Sequence, residues 1–193
     1  MSAVLAQEPA LFEHTADALT WAYRQEGAHP EVSAATKAGR GTAHVGGRGL
    51  GPTIEGSGNA GLIKAEVMRL GEVPGLVIAA RFSLRALPCG CGAPCCKHTR
   101  PSPVWTAATR ELARMAADHA PGTAGYLRLR VACVERFFGV KESFIDVARR
   151  NQLAERTVST HNKAIATWLK SEEGRAMHAL DFRLREAGIV GDR

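Results

Sequence analysis

The sequence predicts an all-α protein: a helical bundle with a C-terminal helix-turn-helix and a small cysteine-rich zinc-binding loop. Three observations carry that expectation. Apolar residues recur at helical spacing through most of the chain, no run alternates convincingly as a strand, and glycine and proline fall between the periodic stretches. At 193 residues, 45% of them apolar, the chain suffices for one compact unit with a real core.

Taken in order, residues 8–26 (EPALFEHTADALTWAYRQE) set Leu11, Phe12, Ala18, Leu19, Ala22 and Tyr23 along one side of a helix. Gly27 and Pro30 close it, so 1–30 reads as an N-terminal helix. From Gly39 to Gly61 nine of 23 residues are glycine, and 31–61 reads as a flexible linker, or a loop ordered only by a partner. Its glycines match neither a Walker lysine motif nor a strand followed by G-x-G-x-x-G, so no phosphate cradle is expected there. Residues 62–193 form the main helical domain. LIKAEVMRLGEV is followed by a break at Pro74 and Gly75, and LVIAARFSLRAL then runs on into the cysteines. Pro103 opens PVWTAATRELARMAADHA, which Pro121 and Gly122 close. The next helix, GYLRLRVACVERFFG, turns Tyr126, Val131, Val134, Phe137 and Phe138 mostly inward and ends at Gly139. Cys133, in the same apolar pattern, is a small core residue.

Between the helices, the loop 88–101 reads PCGCGAPCCKHTRP, with four of the five cysteines and a histidine. Neighbouring cysteines make poor disulfide partners, because a bridge needs Cα atoms about 5.5 Å apart at a fixed torsion. Clustered thiols with glycines between them can instead fold around one zinc ion, which takes four soft or imidazole ligands tetrahedrally. The pattern C-x-C-x3-C-C-x-H offers five donors for four places. Cys89, Cys91, Cys95 and Cys96 are the expected ligands of a structural zinc, with His98 in reserve. A reduced thiol cluster or a redox sensor is the other reading. A catalytic zinc fits less well, since residues 81–110 contain no carboxylate to act as a general base.

The net charge of +6 is unevenly spread. Residues 81–110 carry +5 and 128–170 a further +5, while the segments around them are slightly negative. Double-stranded DNA is the expected partner, a merely solubilising surface the plainer reading. No apolar run approaches the roughly 20 residues that span a bilayer. Neither a secretory nor a transit signal fits the first residues, so a cytoplasmic protein without membrane association is expected.

The residues 143–169, SFIDVARRNQLAERTVSTHNKAIATWL, split into two helical patterns joined near Asn151 to Leu153, a helix-turn-helix. Ser143 can cap the first helix, with Ile145, Val147 and Ala148 inward. The second buries Val158, Ile165, Trp168 and Leu169. At 100° per residue, Arg156, Ser159, Thr160, Lys163 and Thr167 fall on the opposite face. Arg156 can pair with guanine, Thr160 can touch a thymine methyl, and Lys163 suits phosphate. Arg149 and Arg150 on the first helix would grip the backbone. His161 lies nearer the core side. An ordinary helical hairpin with a solvated polar face would show the same pattern.

The segment LAERTVSTHNKAIATWL resembles the recognition half of LuxR-type regulators and of sigma factor region 4. Over roughly 62–190, the helical unit, the central cysteines, the helix ending in FFG and the sigma-like motif resemble the Q-type late-gene antitermination proteins of lambdoid phages and related prophage proteins. That resemblance implies DNA binding beside a late promoter, engagement of paused bacterial RNA polymerase, and read-through of terminators, with Arg156, Ser159, Thr160 and Lys163 as recognition positions. The lambda type carries two separated C-x2-C pairs, a layout this chain lacks. A non-enzymatic transcription regulator is therefore the expectation. Its rivals are a dimeric repressor or activator and a DNA-packaging or recombination protein; against a nuclease, no clustered carboxylates stand ready for two metals.

Overall fold

Helical periodicity carries through into seven α-helices in a computed structural model that describes residues 10–25, 54–89, 91, 98–123 and 125–191. In chain order these are α1 (Thr15–Arg24), α2 (Ile54–Met68), α3 (Glu72–Phe82), α4 (Pro103–His119), α5 (Leu127–Phe137), α6 (Phe144–Asn151) and α7 (Glu155–Glu186). A short antiparallel ribbon, β1 (Ala86–Pro88) with β2 (Thr99–Pro101), stands between α3 and α4, and one 3-10 turn (Pro121–Thr123) follows α4. The expected all-α class thus holds, with one small ribbon added. No helix among the described residues is long and apolar enough to cross a membrane.

The described residues fall into two compact units, where the length suggests one: 10–25, 54–66 and 179–191 form the first, 67–178 the second. In the first, Leu19, Ile63, Leu180 and Leu184 are fully buried. Helix α1 is shorter than the expected 8–26, because Phe12 leaves the helical path. Its N–H donates to the Ile189 carbonyl (3.1 Å), and its carbonyl accepts from the Gly191 N–H (2.9 Å). The Phe12 ring then packs on Trp21, with centroids 5.5 Å apart. The Thr15 hydroxyl donates to Asp181 at 2.7 Å, tying α1 to the last turns of α7.

The second unit has a continuous core drawn from α3, α4, α5, α6 and the first part of α7, with Val77, Leu112, Leu129, Val134, Val147, Val158, Ile165 and Leu169 fully buried. Three helix boundaries differ from those expected. The break between α2 and α3 falls at Gly71, whose φ of 94° favours glycine, and not at Pro74. Pro74 instead sits in the first turn of α3, where its missing N–H would have had no partner anyway. Helix α3 then ends at Phe82, and Ser83 turns extended. Beyond Arg85 the chain forms β1, and Pro88 biases Leu87 before it away from the helical region. Residues 54–61, expected to belong to the linker, are the start of α2; residues 31–53 lie outside the described residues.

Arginines lock the helix ends of this unit. Buried Arg130 donates from Nε to the Ala113 carbonyl (2.6 Å) and from a terminal nitrogen to the Thr123 carbonyl, joining α5 to α4 and to the 3-10 turn. Arg85 donates to the carbonyls of Phe138 and Gly139 at the end of α5. Gly139 has φ 89°, and a Cβ there would meet the Arg85 guanidinium at 2.8 Å. Cys133 is buried as expected, and burial pushes its thiol up to about 11 against the pull of Arg136, leaving it protonated and inert at neutral pH.

Candidate nucleic-acid interface

Helix α6 starts on Ser143, whose hydroxyl oxygen accepts the Asp146 N–H at 3.1 Å. It ends in a Schellman arrangement: the Leu153 N–H donates to the Ala148 carbonyl (3.0 Å) and the Gln152 N–H to Arg149 (3.3 Å). Gln152 holds the left-handed residue at φ 56°, ψ 42°. Leu153 packs on the core that contains Ala148, so the turn has its apolar clasp. Within two residues the chain re-enters helix at Glu155, with Ala154 at the cap position accepting from Thr157 and Val158. The turn thus falls where the sequence places it. Helix α7 does not stop near Leu169 but continues to Glu186.

The inward set of α6 needs one correction. Val147 and Ala148 are buried, but Ile145 is 55% exposed, since at 100° per residue it falls about 60° beyond Ala148 and Phe144 takes the core side of the first turn instead. Tyr126 is likewise exposed, because it stands at the N-cap of α5 and not within it. On α7, Val158, Ile165, Trp168 and Leu169 are all buried. Arg156, Ser159, Thr160, Lys163 and Thr167 are all exposed. These five lie within an arc of about 100° on the helical wheel, opposite the buried residues. The hydroxyls of Thr160 and Thr167 donate to the carbonyls of Arg156 and Lys163 (3.0 and 2.9 Å). Neither Arg156 nor Lys163 has an ion-pair partner among the described residues. His161 is half-buried, and its Cε1 lies 2.8 Å from where a Cβ on Gly122 would be, which places it against the 3-10 turn.

Beside this face lies a groove of about 580 Å³ lined by Thr160, Lys163, Thr167, Trp168 and Ser171 of α7 together with His119 of α4. The imidazole of His119 stacks on Trp168, with centroids 4.3 Å apart and planes 12° from parallel. His119 and Ser171 are absent from the sequence-predicted set. Only the packing of α4 beside α7 brings His119 there, and no local pattern announces such a contact.

Not every arginine of the two basic stretches is available to a partner. Arg81 pairs bidentately with Glu173, one arm at 2.8 Å, with its guanidinium carbon 5.0 Å from the Phe137 ring centroid. Arg85 and Arg130 are spent on backbone carbonyls. Arg149 and Arg150 are exposed and rest in pairs with Asp146 (3.5 Å) and Glu142 (2.8 Å).

The cysteine loop grows out of the ribbon. Ala86 faces Pro101, Leu87 faces Arg100 and Pro88 faces Thr99. One step further, the Cys89 N–H donates to the His98 carbonyl at 2.9 Å, so the two ends of the donor run are held side by side. Cys89 is half-buried, while Cys91 and His98 are exposed, His98 at φ 55°. Cys95 and Cys96 lie outside the described residues, and among the described residues no three His, Cys, Asp or Glu side chains gather as a metal site. No family model, curated protein or solved structure matches the chain.

Proposed function

We propose that this chain is a DNA-binding transcription regulator of phage or prophage type, a Q-type antiterminator that holds duplex DNA through α6 and α7 as a helix-turn-helix and engages bacterial RNA polymerase. One observation carries the reading. Five polar side chains suited to groove and phosphate contact stand exposed on a single face of α7, and the opposite face of the same turns is core. A helix about 10–12 Å across matches the roughly 12 Å major groove. At 1.5 Å per residue, Arg156 and Lys163 are about 10 Å apart, the reach of roughly three base pairs. Arg156 is the guanine reader. Thr160, its hydroxyl already satisfied within the helix, meets a thymine through its methyl group, and Lys163 and Thr167 serve the backbone. Arg149 and Arg150 exchange their carboxylate partners for phosphate. That exchange costs little, since exposed pairs of this kind contribute about 0–1 kcal/mol.

A structural zinc on Cys89, Cys91, Cys95 and Cys96, with His98 in reserve, belongs to the same proposal. The soft donor set suits that ion, and the ribbon that clasps Cys89 to His98 supports a closed knuckle. The ion would fix the loop's fold and take no part in a reaction; the proposed activity is binding and not catalysis. Run-off transcription across a terminator, with and without the protein, tests the regulator reading. Read-through that needs a promoter-proximal site supports it, whereas unchanged termination together with a palindromic footprint would replace it with a dimeric repressor.

A further inference from the structure

A second groove, of about 630 Å³, lies on the 67–178 unit where α4, α5 and α6 meet. Its floor is apolar: Val131 and Ala132 of α5, with Leu127 46% exposed at its edge. Around that floor stand four arginines, Arg110 and Arg114 from α4, Arg128 from α5 and Arg150 from α6. Arg114 pairs with Glu111 (3.2 Å) and Arg150 with Glu142 (2.8 Å), but Arg110 and Arg128 have no ion-pair partner among the described residues. Among the described residues, Glu135 is the one carboxylate lining the groove. Burial, and next the nearby Glu142, push its carboxyl above the ordinary value, while Arg150 and Arg110 pull it back.

We propose that this groove docks an acidic amphipathic helix of a partner protein, its apolar side chains on Leu127 and Val131 and its carboxylates on Arg110, Arg114 and Arg128. The charge is complementary, and arginine presents a planar fork that matches a carboxylate bidentately. Arg110 and Arg114 are one turn apart, as are Leu127 and Val131, so the groove repeats at the spacing of a helical ligand. A phosphate backbone would meet the arginines equally well but would leave the apolar floor uncovered. An apolar side chain gains about 25 cal/mol per Å² by covering it. The docking does not depend on how α7 is used.

The test uses the full chain and a fluorescein-labelled helical peptide of about 15 residues with leucines one turn apart flanked by glutamates, followed by fluorescence anisotropy. Its controls are the same peptide with every Glu replaced by Gln, and with every Leu replaced by Ala. The peptide is expected to bind, with both controls weaker. The double variant Arg110→Glu, Arg128→Glu should weaken it about tenfold or more, and Leu127→Ser should weaken it severalfold only for the leucine peptide. The charge-matched double reversal Lys170→Glu, Arg175→Glu, on exposed residues outside the groove, should leave it within about twofold, the variants' melting curves confirming folded protein. No binding, equal binding of the Gln peptide, or binding indifferent to the groove variants would overturn the proposal. Loss of duplex binding in the double variant, with peptide binding unchanged, would assign the groove to nucleic acid.

Discussion

Gln152 is the residue on which the α6–α7 turn is least comfortable. A side chain other than glycine in the left-handed region costs about 1–2 kcal/mol, and here it is needed because the Schellman bonds of Leu153 and Gln152 require that backbone. Gln152→Gly is expected to stabilise the protein by about 1 kcal/mol in urea unfolding. Destabilisation would mean that the glutamine side chain holds something beyond its backbone geometry. The turn itself is legible in the sequence, since the apolar pattern breaks there, but no rule places glutamine at a left-handed position. The exposed set on α7 is legible for a different reason: an uninterrupted helix obeys its period, so Val158, Ile165 and Leu169 fix where Arg156 and Lys163 must point. Tyr126 stands outside that reasoning because it is a cap residue and not part of the helical period, and Ile145 lies beyond the arc of Phe144, Val147 and Ala148 that faces the core.

At the scale of elements, Gly174 lies exposed within α7, and a Cβ built on it has no atom within 4 Å. Gly174→Ala is therefore expected to stabilise the helix by about 0.5–1 kcal/mol, read as a higher midpoint in urea. An unchanged or lower midpoint would mean that the helix needs flexibility there. Element existence is readable from periodicity, and so are the ends that carry a local signal, such as Pro103 for α4 and Ser143 for α6, whereas the ends of α2 and α3 are not. Pro74 looks like a stop and is a start, because proline is costly inside a helix yet tolerated in its first turn. The ribbon that closes the cysteine loop is not legible in the sequence, because three-residue strands such as Ala86–Pro88 carry too little alternation to register.

For the whole molecule, charge divides between architecture and surface. Arg81, Arg85 and Arg130 hold the fold together, a role that a net charge cannot distinguish from availability to a partner. Glu135 gives the pH dependence a sign. Its carboxyl is raised in the folded state, chiefly by burial, so the folded protein holds that proton more tightly than the unfolded chain. Stability from this group is therefore greatest at low pH and is lost as pH rises from the ordinary glutamate value of 4.5 through the raised one. Glu135→Gln should flatten that part of the stability profile, and a profile identical to the wild type would contradict the assignment. Chelation is expected to lower the melting temperature through the cysteine loop, with metal released in proportion to protein. An unchanged melting curve and no metal by elemental analysis would remove the zinc site.

The central claim is that the exposed face of α7 meets duplex DNA, and anisotropy of a labelled duplex titrated over a range of salt tests it most directly. The expected result is binding that weakens steeply with salt, a Lys163→Ala variant whose salt slope is shallower by about one unit, and an Arg175→Ala variant that retains the wild-type slope. No binding in dilute buffer, or a Lys163→Ala slope equal to that of the wild type, would contradict it.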